Sequence, residues 1–382
     1  MNSQKHLFSI PEDIHYLNCG YMSPLLKSVE EAGVAGMQRK RNPSAVTSGD
    51  FFNESIILRQ RFAQLVNCKA EQVAIIPSTS YGLQNALNNI PLTNGKFAIT
   101  VADEFPSDYY AIQRWCSVNN KELKIIDGGN EIRDRGRKWN EKILNTITNE
   151  TTVVIISSIH WMDGTLFDLK AIGKRCKDVN AVFIVDGTQS TGALPMDVTG
   201  YNIDVLVCAA YKWLLGPYSI GAAFYSEQFN NGVPVEESWL NRANADNFSK
   251  LTNYTDEYKP GAGRYSIGEH SNFILTPMFI KSIEQILNWD VNAIQDYCGQ
   301  LVSPLLDFLK KKGVLMEEDN YRANHLFGFK LSGNIDTTVL VNELQKRKIF
   351  VSVRGDAIRV SPHLYNNKKD IEVLMDALEK IL

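Results

Sequence analysis

The six cysteines of this chain, Cys19, Cys68, Cys116, Cys176, Cys208 and Cys298, form no C-x-x-C pair. Their scatter argues against a zinc knuckle or a disulfide framework, and most read as small buried hydrophobes. No G-x-G-x-x-G follows an apolar strand, which removes the fingerprint of a dinucleotide-binding protein. No apolar run reaches the ~18 residues of a membrane span. Neither charge sign dominates: 40 Lys+Arg stand against 43 Asp+Glu, so the basic excess of a polyanion binder is missing. Internal repeats and low-complexity segments are absent. The opening MNSQKHLFSIPEDIHYLN has no apolar core of the kind a secretory leader carries. These absences predict a cytoplasmic protein that binds neither nucleic acid nor membrane and holds no metal.

What is present is an ordinary globular balance. Hydrophobic residues are 44% and charged residues 22% of 382, enough chain for two or three domains with a real core. From about residue 50 to 230, short apolar β-rich runs alternate with helical patterns. The runs are 72–76, 97–101, 123–126, 152–156, 181–185, 205–208 and 221–225. Several are apolar on both faces, as strands between two helix layers must be. Helical stretches at 81–89, 107–118 and 169–177 sit between them. This alternation predicts an α/β fold with a mostly parallel sheet and right-handed crossovers. Such a sheet takes ligands outside the carboxyl ends of its strands.

The style changes after about residue 230. Residues 230–270 are polar and turn-rich. A long helical stretch (277–312), a strand (325–331), a helix (337–347), two short strands (350–353 and 357–360) and a closing helix (369–382) follow. The expected organisation is an N-terminal arm (1–23) that periodicity does not place, a large α/β domain (24–276) and a smaller C-terminal α+β domain (277–382).

Five stretches carry candidate chemistry. In Val185-Asp186-Gly-Thr-Gln189 a carboxylate follows a buried strand; the plainer reading is a helix cap. In Ala210-Tyr211-Lys212 a lysine follows an apolar strand. A buried lysine can serve as amine nucleophile or base, whereas an ordinary one snorkels to the surface. Ser78-Thr79-Ser80 opens a helix after a strand, the geometry of a phosphate cradle or of a plain N-cap. Asp103-Glu-Phe105-Pro106-Ser107-Asp108 starts a helix and brings an aromatic ring to the ligand edge. Arg359 alternates with apolar residues on a strand, suited to a bidentate carboxylate or to a surface ion pair. Each is weak alone. Together a phosphate cradle, a stacking ring, a strand-end carboxylate and a strand-end lysine are the needs of pyridoxal phosphate.

Over nearly its full length the chain resembles the class V aminotransferase group of fold-type I pyridoxal-phosphate enzymes. The resemblance rests on Ser158-Ile-His160-Trp-Met-Asp163-Gly164, Asp186-Gly-Thr-Gln189 and Lys212 with Gly216-Pro217. It implies Lys212 as the Schiff-base lysine, Asp186 as partner of the pyridinium nitrogen, and Gln189 beside the cofactor hydroxyl. It implies Arg359 as receptor of the substrate carboxylate, with His160 also on the substrate side. The implied cofactor contacts are Ser78, Thr79, Ser80, Phe105, Ser107, Asp108, Asp163, Tyr211, Trp239 and Asn272. Phe105-Pro-Ser-Asp108, Tyr211-Lys212, Ser271-Asn272 and Trp239 look most like kynureninase. Gln189 departs from it, standing where kynureninase has His, as in cysteine desulfurases, and Ala210 replaces a hydroxyl residue. Cysteine desulfurases carry a persulfide-forming cysteine before the carboxylate-binding arginine; between Cys298 and Arg359 this chain has none.

The expectation is therefore an enzyme of a small amino acid, most simply an aminotransferase that also uses a 2-oxo acid. A lyase, a kynureninase-like hydrolase or an epimerase shares every cofactor contact. A cofactor-binding regulator without turnover is the non-enzymatic alternative. The resemblance further implies a homodimer, with the stretch 230–275 crossing to its partner. His363, Tyr21 and Arg264 are further pocket candidates or structural residues.

Overall fold

The computed structural model describes residues 1–92, 95–129, 134–331 and 337–380. The chain opens with β1 (His15–Tyr16), α1 (Lys27–Arg39) and α2 (Asn53–Val66). Then come β2 (Val73–Ile76), α3 (Thr79–Leu87), β3 (Phe97–Val101), α4 (Pro106–Val118), β4 (Glu122–Ile126) and α5 (Arg135–Thr146). Next are β5 (Thr151–Ser157), α6 (Leu169–Asp178), β6 (Val182–Asp186), β7 (Val205–Ala209) and β8 (Gly221–Tyr225). The remainder is α7 (Leu275–Trp289), α8 (Val291–Lys311), β9 (Leu315–Met316), β10 (Phe327–Lys330), α9 (Thr337–Lys346), β11 (Ile349–Phe350), β12 (Ser352–Arg354), β13 (Ala357–Val360) and α10 (Lys368–Glu379).

Seven strands form the central sheet in the order β2-β8-β7-β6-β5-β3-β4. Only β8 runs against its neighbours. The sheet is therefore mostly parallel, as the alternating pattern predicts. Period-2 alternation sorts its side chains into two layers. Ile75, Val154, Ile156, Phe183, Val185, Leu206 and Cys208 face one apolar core. Ala74, Ile76, Val153, Ile155, Ile184, Val205 and Val207 face the other. Both layers are sealed from water, which is why these strands read as continuous apolar runs.

Two differences from the sequence expectation stand out. The long helix expected over 277–312 is two helices. Asp290 breaks it with a positive φ of 68°, and its carboxylate accepts from the Asn292 N–H at 2.7 Å, capping α8. The apolar face of α7 packs through Phe279, Ile283 and Ile286 into a sheet core, whereas α8 supplies Leu301, Leu305 and Leu309 to a third core. Helices α1, α2 and α5 were not expected; α5 carries few apolar residues to betray its period. The closing helix spans Lys368–Glu379, and the expected residues 381–382 lie outside the described residues.

The N-terminal arm finds its place only in three dimensions. β1 pairs in parallel with β11. The Cys19 N–H donates to the Ser361 carbonyl and the Ser23 N–H to the Tyr211 carbonyl. The arm thus runs along the third core and ends at the carboxyl edge of the central sheet. Residues 230–270 hold short 3-10 turns and an isolated Arg242–Tyr258 bridge, with neither α-helix nor strand. Among the described residues no helix is long and apolar enough to cross a membrane.

Candidate active site

The carboxyl ends of β2, β3, β5, β6 and β7 converge on a cavity of about 340 Å³. Because β8 is antiparallel, its leading residues Tyr218, Ser219 and Ile220 close the same edge. Ser78, Thr79, Ser80, Phe105, Ser107, Asp186, Gln189, Tyr211 and Lys212 all line this space. These nine expected site residues come from four separate strand ends, those of β2, β3, β6 and β7.

Lys212 sits in a tight reversal after β7, where the Gly216 N–H donates to the Ala210 carbonyl at 2.9 Å. Its side chain is buried, and its Nζ lies 5.5 Å from the ring centres of both Phe105 and Tyr211. Burial pulls the amine down to about 8; the Asp186 charge opposes this and the Arg359 and Arg354 charges reinforce it. A lysine with that value exchanges a proton readily near neutral pH.

Asp186 is the last residue of β6. Its carboxylate accepts from the Thr188 N–H at 2.7 Å, while the Thr188 hydroxyl accepts from the Ala209 N–H at 3.1 Å. Its neighbour Asp108, in the first turn of α4, is fully buried, and neither carboxyl oxygen has a hydrogen-bond partner among the described residues. Burial, and then the charges of Asp186 and Glu104, push the Asp108 carboxyl well above the ordinary range. Asp108 therefore stands behind Asp186 as a neutral acid. Glu104 is occupied elsewhere, accepting from the Ser157 N–H and the Phe105 N–H, each at 2.7 Å. Those bonds tie the β3 and β5 loops together beneath the Phe105 ring.

At the start of α3, Ser78 caps the helix: its hydroxyl accepts from the Tyr81 N–H at 3.3 Å and lies 3.0 Å from the Ser80 hydroxyl. Thr79 and Ser80 occupy the first turn, where free N–H groups and the helix dipole favour an anion. Gln189 is held at both ends. Its amide N–H donates to the Gly20 carbonyl at 3.1 Å and its oxygen accepts from the Trp213 indole at 3.0 Å.

Arg359 is 1% exposed, yet among the described residues its side chain makes one hydrogen bond: Nη1 donates to the Trp161 carbonyl at 2.7 Å. Nε and Nη2 have no partner among the described residues. Burial, with the Arg354 charge nearby, pulls the guanidinium down to about 9. A buried cation with open donors is costly unless an anion joins it.

Other expected residues lie away from the cavity wall. His160 and Asp163 form a polar group with Arg135. Asp163 pairs with the Arg135 guanidinium at 3.0 Å and accepts from the Thr165 hydroxyl at 2.9 Å. Burial opposes ionisation of Asp163, but His160 and Arg135 outweigh it and hold the carboxyl well below the usual range. The His160 ring packs on Trp139, centres 5.0 Å apart. Trp239 and Asn272 line a separate surface groove with Phe51 and Phe273. Asn272 caps α7 there, accepting from the Leu275 N–H at 2.9 Å. His363 is buried among Trp213, Trp289 and Tyr365, and burial, with the His325 charge, pulls its pKa down to about 3. Tyr21 is exposed, and Arg264 donates to the Gly232 carbonyl.

Sequence reasoning missed Trp161, which lines the cavity and meets Phe105 edge-to-face at 5.6 Å. Its position just before the Met-Asp-Gly turn was the available signal. Gly164 in that turn has φ +77°, and a Cβ there would stand 2.0 Å from the Leu326 carbonyl oxygen. It also missed Thr188, Tyr218 and Ser219, polar residues that flank recognised motifs.

With this geometry in place, comparisons with known proteins identify the class. The family described as Aminotransferase class-V matches residues 47–374. The chain belongs to this family of pyridoxal-phosphate-dependent enzymes. It is 24% identical over 404 residues to the kynureninase of Shouchella clausii, covering 98% of this chain and 90% of that protein. It is 23% identical over 328 residues to the uncharacterized aminotransferase YcbU of Bacillus subtilis, covering 84% and 82%. Among solved structures, a C-DES variant with glycine covalently linked to its PLP cofactor aligns with TM-score 0.84, 17% identity and 98% coverage of both chains. The cysteine desulfurase of Thermococcus onnurineus aligns with TM-score 0.81 and 19% identity, covering 100% and 98%. The cavity fits the family's cofactor in its donor set. It offers hydroxyls at a helix N-terminus, an aromatic face at Phe105, a buried carboxylate at Asp186 and a buried amine at Lys212.

Proposed function

We propose that this enzyme acts on a small α-amino acid, most simply as an aminotransferase with a 2-oxo acid as second substrate. One observation carries the reading: a buried amine of lowered pKa faces a buried carboxylate across one cavity, with an unsatisfied guanidinium nearby. When bound, pyridoxal phosphate supplies an aldehyde for the substrate amine and a sink for the electron pair left at Cα.

The chain's own residues divide the remaining work. Thr79 and Ser80, with the Ser78-capped end of α3, hold the phosphate, and Ser107 and Tyr211 flank it. Phe105 covers the ring. Asp186 keeps the pyridine nitrogen protonated; neutral Asp108 behind it adds no second negative charge. Gln189, braced by Trp213 and Gly20, sits beside the ring hydroxyl. Arg359 takes the substrate α-carboxylate through Nε and Nη2, which orients the Cα bonds. Lys212 takes a proton from Cα and returns it, acting as general base and then acid. His160 and Asp163 act from behind, bracing the loop that presents Trp161.

A lyase or hydrolase reading is favoured by a different observation: full-length relatives are named kynureninase, and C-DES is named a cystine C-S lyase. Products separate the two. Amino acids are supplied to the cofactor-loaded protein with and without a 2-oxo acid. Transamination yields a new amino acid in step with the 2-oxo acid consumed. Ammonia, alanine or a released sulfur species without a 2-oxo acid would overturn it.

We also propose a cytoplasmic homodimer with shared sites. Support comes from the groove around Trp239, Asn272 and Phe51, an aromatic surface in a segment without regular structure. Trp239 and Asn272 of one protomer would then complete the phosphate site of its partner. Sedimentation across a dilution series tests this; a fully active monomer refutes it.

A further inference from the structure

A second arginine stands next to the first. Arg354 ends β12, and β12 pairs antiparallel with β13, Ser352 opposite Arg359 and Arg354 opposite Ala357. Opposite residues share a face, as do residues two apart on one strand. Arg354 and Arg359 therefore project from the same face as diagonal neighbours, with backbones about 7–8 Å apart.

Trp161 binds the two together. Its carbonyl accepts from Arg359 Nη1, and its indole lies under the Arg354 guanidinium, 5.7 Å from the ring centre. The same indole lines the cavity beside Phe105. The hairpin is pinned against this loop. Gly355 at its tip has φ +58°, and a Cβ there would meet the Met162 methyl at 2.8 Å. Arg354 is half-buried, and its recorded hydrogen bond goes to the neighbouring Val353 carbonyl at 2.8 Å. Among the described residues no carboxylate pairs with it. The nearest acid in the chain, Asp356, is taken by Lys330 at 2.8 Å.

Two guanidinium groups that share one face without an acidic partner repel each other, and an anion between them relieves that repulsion. One α-carboxylate satisfies Arg359 and leaves Arg354 open. We infer that Arg354 receives a second anionic group, so that the substrates of this site are α-amino acids whose side chain ends in an oxyanion. This rests on the amino-acid reading above and deepens it. Carboxylate and sulfinate side chains share the required chemistry.

The test compares aspartate, glutamate and cysteine sulfinate with asparagine, glutamine and alanine on the full-length, cofactor-loaded chain. The acids are expected to exceed their amides in kcat/KM by about 10- to 100-fold, the worth of one charge-assisted hydrogen bond. Arg354→Gln should collapse the aspartate-to-asparagine ratio by the same factor, and Arg354→Lys should restore part of it. Sulfinate or carboxylate preference tells which oxyanion the site favours. A binding readout stands apart from turnover. Calorimetry should show succinate or glutarate binding more tightly than butyrate, with the difference lost in Arg354→Gln. An unchanged acid-to-amide ratio in Arg354→Gln, or equal binding of mono- and dicarboxylates, overturns the inference. Turnover of neutral amino acids alone would sink it while leaving the amino-acid reading intact. Arg354-dependent dicarboxylate binding without any transamination would refute the aminotransferase reading and leave the oxyanion subsite standing.

Discussion

Asp108→Asn tests the electrostatics beneath the site most directly. The Asp108 carboxyl is fully buried, lacks hydrogen-bond partners among the described residues and adjoins Asp186. Burial and then the Asp186 charge raise its pKa, so the folded chain keeps a proton that the unfolded chain releases near pH ~3.9. The sign follows. Above that pH the native state binds more protons than the unfolded state, so stability falls as pH rises toward the native pKa. The loss is about 1.4 kcal/mol per pH unit while Asp108 stays protonated. Asparagine has the same shape and no titration, so it escapes this loss. As pH rises above 5, the stability of Asp108→Asn relative to the native chain should improve, by about 1.4 kcal/mol per pH unit for as long as the native Asp108 keeps its proton. The assay is urea denaturation of the cofactor-free protein at several pH values, with the m-value checked for constancy. A pH-independent difference would refute the neutral acid. So would a loss of about 3–5 kcal/mol, the signature of breaking a buried charge pair.

Four further outcomes are expected. Lys212→Met should abolish borohydride-fixable cofactor. With the native amine at about 8 against ~10.4 unfolded, the same variant should gain up to about 3 kcal/mol at pH 7, the gain fading toward pH 10 in denaturation curves. Asp186→Asn should retain cofactor by absorbance and lose turnover about a hundredfold or more; near-native activity would disprove its role on the ring nitrogen. Arg359→Lys keeps the charge but not the fork, so kcat/KM for α-amino acids should drop about 10- to 100-fold with the cofactor spectrum unchanged. Trp239→Ala should raise the concentration at which sedimentation shows dissociation and cofactor loss together.

Much of the site was legible because its chemistry is written at strand ends. Asp186 and Lys212 each follow an apolar run whose length marks a buried parallel strand, and such strands deliver their next residue to the ligand edge. Ser78-Thr79-Ser80 and Phe105 follow the same rule from β2 and β3. Asp108 was legible as one residue of a helix start and, through the resemblance, as a cofactor contact, but not as the neighbour of Asp186. That it backs onto Asp186 is a contact between residues far apart in the chain. Trp161 reads as one aromatic among many until its loop meets Phe105 on one side and Arg359 on the other.

The N-terminal arm carries no periodicity because its partners are not its own neighbours. Its backbone groups are satisfied by β11, Ser361 and Tyr211. The break at Asp290 was hidden for a related reason. Apolar spacing continues through it, and one residue's positive φ turns a continuous pattern into two helices serving different cores. Local sequence thus determined the elements, their order and the chemistry waiting at their ends, since strand and helix periods are short-range properties. Tertiary structure alone decided which charges face each other, because a pKa or an open guanidinium depends on burial and neighbours that distant segments supply. The raised carboxyl behind Asp186, and the two arginines gathered around Trp161, belong to that second kind.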